Sequence, residues 1–294
     1  MRPSLLLALL PLLATPAFAA DPPASIQIWT RSDTNQRVAK VALDDAQAKT
    51  VERKDAQYDA THKFRQLAIA DLLKKYQPPA DTDLALLHFA NGMAIPLPFR
   101  DAATMERLQP AIAIAIEREG AMTRSFPVVA KKESNFVDAR PIRFSSNKVV
   151  VGERWHPQLS AKALEKFSPW LFADTLTGIE LVKEADYFNQ FDIDPATKAG
   201  FSVFRQVCSF CHGVRKTGAS FGWDVVDPLP LVEYRKKESS LYYHIRYRSP
   251  AAVQKGLMMP ALDFVTEQEA GALLAWMRSA AEQPLRPYRS AGGK

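Results

Sequence analysis

Hydrophobic positions fall into short, strand-like runs up to about residue 185 and into longer stripes of helical spacing after residue 194. Residues 25–30, 38–43, 128–130, 141–144, 148–151 and 178–182 each predict a strand. Two further runs, 86–90 and 93–97, flank Asn91-Gly92. That dipeptide suits the left-handed backbone of a two-residue hairpin turn, so a β-hairpin is expected there. Leu67, Ile69, Leu72 and Leu73 form an apolar face that predicts a helix over 64–76. Residues 102–119 predict another, although the Ala-Ile alternation from Ala111 to Ile116 reads equally as a strand. Prolines are frequent, the order is irregular and no repeat is visible, which predicts a mixed α+β N-terminal domain over residues 20–185.

Asp194 before Pro195 reads as an N-cap followed by proline at the first helical position. Gly200, Phe204 and Cys208 then recur every four residues and so share one helix face. Near the C-terminus Thr266 and Glu269 have the spacing of a capping box, ahead of a helix carrying Leu273, Trp276 and Met277. These helices bound a second domain over residues 195–285, with a tail at 286–294.

Residues 1–19 carry Arg2, an apolar run from Leu5 to Leu13 and Ala17-Phe18-Ala19, the three parts of a cleaved secretory signal. The run is shorter than the ~20 residues that span a bilayer. No later stretch is apolar enough either, so an exported chain without a transmembrane segment is expected, in a bacterium in the periplasm. The formal charge is +6, and from Pro195 onward about fourteen Lys and Arg face eight Asp and Glu. Export excludes nucleic acid as partner; a basic surface here suits a redox protein with an acidic face.

The chain has two cysteines, both in Cys208-Ser209-Phe210-Cys211-His212. Cys-x-x-Cys-His is the attachment signature of c-type haem. Two thiols at this spacing match the two vinyl groups of the porphyrin, and the adjoining imidazole reaches the iron from the same side. One covalent haem c is therefore expected, with Cys208 and Cys211 as thioethers and His212 as proximal ligand. A zinc site would need further thiols or imidazoles nearby. A thioredoxin-like pair would follow a strand and open a helix, whereas this pair ends a helical pattern. His62, His88 and His156 are scattered; His88, among apolar neighbours, reads as a satisfied sheet histidine. No Ser-centred elbow or phosphate-binding glycine loop is present.

The two helices with the haem motif at the end of the first resemble class I c-type cytochromes. The resemblance implies an all-α C-terminal fold in which a glycine lets the helices cross closely. It also implies a distal methionine before a proline, which points to Met259-Pro260, 47 positions after His212. Met258 and His244 are the alternatives. Methionine opposite histidine raises the potential relative to two histidines, and a filled coordination sphere carries electrons without bond chemistry. Gly213, Gly218, Gly222, Pro228 and Pro230 suggest a loop around one haem edge, while Trp223, Tyr234, Tyr242, Tyr243, Arg246 and Arg248 are candidates for its wall or for propionate binding.

Residues 86–93, 210–213 and 218–224 are similar to exported proteins joining a sulfite-oxidase-type molybdopterin module to such a cytochrome. That module ligates molybdenum through a cysteine, and this N-terminal region has none, so the resemblance implies a scaffold or docking surface without the metal site. The expected function is single-electron transfer between protein partners by Fe(III)/Fe(II) cycling. The rivals are a haem peroxidase or small-molecule oxidoreductase, and a non-catalytic cytochrome subunit docked on a larger oxidoreductase.

Overall fold

The computed structural model describes residues 25–30, 37–43, 47–55, 58, 60–127, 147–151, 173, 175–228, 230–234, 238–247, 259 and 262–287. The signal segment 1–19, the strands expected at 128–130 and 141–144, His156, Arg248, Met258 and tail residues 288–294 lie outside the described residues.

Two five-stranded sheets form the first part of the chain. The first contains β1 (Ser25–Thr30), β2 (Arg37–Ala42), β5 (Leu84–Phe89), β6 (Ala94–Leu97) and β10 (Leu176–Val182), in the order β2-β1-β10-β5-β6. Only β1 and β10 run parallel. Register aligns Ala39, Ile28, Ile179, Leu87 and Ile95 across all five strands. Because side chains alternate faces, this row is a continuous apolar strip on one side.

The second sheet contains β3 (Lys49–Asp55), β4 (Ala60–Ala68), β7 (Ala111–Arg118), β8 (Ala121–Thr123) and β9 (Lys148–Val150). β7 settles the Ala-Ile ambiguity in favour of a strand. Helix α2 (Ala102–Leu108) stops at Gln109, whose φ of 42° is left-handed, and Pro110 precedes the strand. Both faces of β7 are covered: Ile112 and Ile114 join the main core, while Ala111, Ala113 and Ile116 join a smaller one with Phe64 and Phe126. The helix expected over 64–76 is only α1 (Ile69–Tyr76). Residues 64–68 belong to β4, where 64–66 pair with both β3 and β7 and 67–68 with β7 alone, a tertiary pairing that overrides local pattern.

After α3 (Glu184–Asn189), Asp194 caps a 3-10 turn at Pro195–Thr197, followed by α4 (Lys198–Val203) and a π-helical turn, Phe204–Cys208. A hairpin of β11 (Gly213–Val214) and β12 (Thr217–Gly218) comes next, then α5 (Leu231–Tyr234), α6 (Glu238–Tyr247) and α7 (Glu267–Glu282).

This corrects the fold class expected from sequence. The chain is of mixed α/β construction, and it does not form an all-α class I cytochrome c fold at its C-terminus. The region after 195 includes a β-hairpin, and its apolar core is continuous with that of the first sheet. Phe201, Phe204, Phe210, Leu273 and Trp276 share one hydrophobic cluster with Ile26, Leu87, Phe89 and Ile179 of the first sheet. Apolar burial therefore runs unbroken across the boundary expected between residues 185 and 195. Among the described residues no helix is long and apolar enough to cross a membrane.

Candidate functional site

The site is built at the end of α4. The Asp194 carboxylate accepts the Ala196 amide at 2.9 Å, starting the helical run. Gly200 then meets α7, where a Cβ would collide with the Ala272 carbonyl oxygen and reach the Trp276 Cβ at 2.8 Å. Phe204 stacks on the Trp276 ring, centroids 4.5 Å apart. The expected helix crossing is thus present, with the capping box of α7 formed by Thr266 and Glu269.

The helix widens into a π turn that ends on the first cysteine, Cys208. The Ser209 amide bonds to the Phe204 carbonyl at 2.9 Å, five residues back, and Ser209 Oγ donates to the Arg205 carbonyl at 2.8 Å. Such turns recur at functional sites because they re-aim the side chains that follow. The Cys211 and His212 amides both donate to the Cys208 carbonyl, at 3.1 and 2.9 Å. One tight turn thereby gathers both thiols and the imidazole.

The chain then folds back over this turn. In the β11–β12 hairpin Arg215 and Lys216 take φ of 50° and 63°, unfavourable for residues with a Cβ. Asp224 holds them there. Its carboxylate accepts the amides of Arg215 (3.0 Å), Lys216 (2.6 Å), Val226 (2.9 Å) and Asp227 (3.0 Å). The Arg215 guanidinium reaches the carbonyls of Ala280, Ala281 and Gln283, satisfying acceptors left open at the end of α7. Asp224 and Arg215 were not singled out from sequence. The signal for Asp224 was an Asp within a Gly- and Pro-rich loop, where its side chain bonds backbone two residues on.

The returning segment seats His212. The Gly222 amide donates to the Cys211 carbonyl at 2.6 Å, and a Cβ on Gly222 would strike the His212 ring, meeting Nδ1 at 2.7 Å and Nε2 at 2.9 Å. His212 Nδ1 lies 2.7 Å from the Trp223 carbonyl oxygen. A carbonyl only accepts, so Nδ1 carries the proton and Nε2 keeps its lone pair. Burial holds the imidazole below its usual pKa, against smaller opposing effects of Trp223 and Asp224. Compared with known proteins, this chain matches no family model and no curated protein.

Both cysteines are free and half-buried. Desolvation pushes each thiol up, to about 12, with Cys208 adding to the shift of Cys211. Among the described residues no three His, Cys, Asp or Glu side chains gather to hold a metal ion by themselves. The donor set suits a porphyrin: two neutral thiols without a disulfide partner, and one oriented imidazole with a free nitrogen.

Met259 is half-buried and packs on the same core cluster as Cys208, Cys211 and Phe221. His244 sits on α6, half-buried. Trp223 is 72% exposed, the most open large apolar side chain among the described residues. The histidines of the sheets do not join the site. His62 packs edge-on against Tyr58. His88 is bonded through Nε2 to Glu180 at 2.9 Å and stacked on Trp29, whose ring lies over Gly178.

The three segments 86–93, 210–213 and 218–224 converge. Gly92 of the β5–β6 turn accepts the Ser220 amide at 2.7 Å, and the Ala94 amide donates to the Phe210 carbonyl at 3.2 Å.

Proposed function

We propose that this chain is an exported one-electron carrier holding a single haem c, attached through Cys208 and Cys211, with His212 as proximal and Met259 as distal iron ligand. The seat of His212 carries this reading. Gly222 leaves room for the ring, the Trp223 carbonyl accepts a hydrogen bond from Nδ1–H, and Nε2 keeps its lone pair on the residue next to Cys211, one of two free cysteines. Holding the second nitrogen of a ligating histidine fixes its orientation and raises its basicity.

When bound, haem c supplies reversible one-electron exchange between Fe(III) and Fe(II). The protein supplies the rest. Cys208 and Cys211 would hold the porphyrin by addition of each S–H across a vinyl double bond, the sulfur gaining a carbon and the neighbouring carbon the hydrogen. The thioether of Met259 would be the second protein ligand to the iron and would favour the ferrous state. The positive surplus after residue 195 steers a partner with an acidic surface, and the setting is the periplasm.

Export of the full chain in a host competent for cytochrome maturation tests this. The expected product is red, retains its haem after denaturation, and resists alkylation at both cysteines. A colourless product with two alkylatable thiols would overturn it.

A further inference from the structure

The β5–β6 hairpin belongs to the first sheet, yet its turn and the first residue of β6 touch the two arms of the loop that seats His212. One arm is reached at Phe210, two residues before His212, through the Ala94 amide; the other at Ser220, two residues before Gly222, through the Gly92 carbonyl. The two arms close on each other through Gly222 N to Cys211 O at 2.6 Å and His212 Nδ1 to Trp223 O at 2.7 Å. The hairpin itself is firmly anchored. The Ala90 amide donates to the Thr175 carbonyl beside β10, the Phe89 amide to Met93, and the Met93 amide to the Asn91 side chain, while the Met93 side chain is buried.

Gly92 sits at φ 89°, and a Cβ there would meet Ser220 Oγ at 2.7 Å, Ser220 C at 2.8 Å and Phe221 N at 2.9 Å. Two of these atoms are backbone, which cannot rotate aside. We propose that the Asn91-Gly92 turn is a positioning element for His212, a brace by which the N-terminal sheet fixes the loop that holds the imidazole. The inference rests on His212 as the iron ligand and gives the N-terminal region a role in setting the geometry of the proximal ligand. Displacing Ser220 by a few tenths of an ångström moves Gly222 and the Trp223 carbonyl with it. The ring then loses its seat and its hydrogen-bond acceptor together.

Gly120 provides the control. It sits at a similar φ of 83° with nothing within 4 Å of a Cβ, so alanine there brings the backbone strain without the collision. Gly92→Ala and Gly120→Ala are compared in the purified, reduced, full-length exported protein. For Gly92→Ala the expected result is a displaced His212 Nδ1–H resonance, at least a tenfold loss of exchange protection at the Gly222 amide, and a shifted midpoint potential. For Gly120→Ala all three stay at the wild-type values. Identical behaviour of the two variants overturns the proposal. Wild-type protein provides a test that needs no variant: the Ser220 and Ala94 amides should be protected to the same degree as the Gly222 amide, and exchange of Ser220 at open-loop rates beside a protected Gly222 also overturns it. Absorbance reports the haem and amide exchange reports the brace, so the two readings fail separately.

Discussion

The Nδ1 of His212 lies 2.7 Å from the carbonyl oxygen of Trp223, and Gly222, one residue earlier, faces the same ring. Two consecutive residues thus supply both the hydrogen bond and the space that orient one imidazole. Gly222→Ala puts a methyl group into the ring. Overpacking of this kind costs about 1–3 kcal/mol, and here the ring is the part free to move. The haem-loaded variant should show weakened histidine ligation in its absorption spectrum together with a lower Tm. An unchanged spectrum would mean that the ring does not depend on this seat.

Axial ligation is tested at two neighbouring positions. Met259→His should lower the midpoint potential, since imidazole stabilises ferric iron relative to thioether, within the ~0.8 V range that axial ligands span. Met258→His should leave it near the wild-type value. The reverse pattern, read by spectroelectrochemical titration, would move the ligand to Met258, and no effect at either would return attention to His244.

The buried pair Lys148–Asp55, 2.7 Å apart, predicts a pH dependence. Desolvation lowers the Lys148 pKa from 10.5 to about 8, against the attraction of Asp55. Between those values the unfolded chain binds more protons than the folded one, so stability rises with pH from about 8 to 10.5, by about 3 kcal/mol for this group alone. Urea unfolding at pH 7.5 and 10 measures it. In Lys148→Met that rise should vanish. The variant should also be ~3–5 kcal/mol less stable at neutral pH, because it strands a buried carboxylate.

Trp276 is fully buried, stacks on Phe204, and donates through Nε1 to the Phe191 carbonyl at 3.0 Å. Trp276→Ala should cost ~3–5 kcal/mol in cavity and lost contact. Trp276→Phe should cost about 1–3 kcal/mol, chiefly from the unsatisfied carbonyl. Chemical denaturation of both variants separates packing from hydrogen bonding.

Several features were legible because their causes are local. The Asn91-Gly92 hairpin, the Thr266–Glu269 capping box and β1 need only a few consecutive residues to form, and all three are present. Elements decided by distant partners were misread or missed. Residues 64–68 became strand because β7 pairs with all five and β3 with the first three. β3 itself, largely polar and paired on one edge, has too little apolar pattern to be seen beforehand. The all-α C-terminal fold failed for a related reason: helix periodicity shows which face is apolar but not what covers it, and part of the covering is the first sheet.

The amino-acid sequence by itself determined the Cys208, Cys211 and His212 triplet and its spacing, since a motif of five consecutive residues is complete without a fold. Only the tertiary structure decided which backbone carbonyl holds His212, which glycine makes room for it, and that a hairpin more than a hundred residues earlier presses on the same loop. Those are contacts between segments far apart along the chain. Their geometry is set by how sheet and helices share one core, and no window of sequence contains that information.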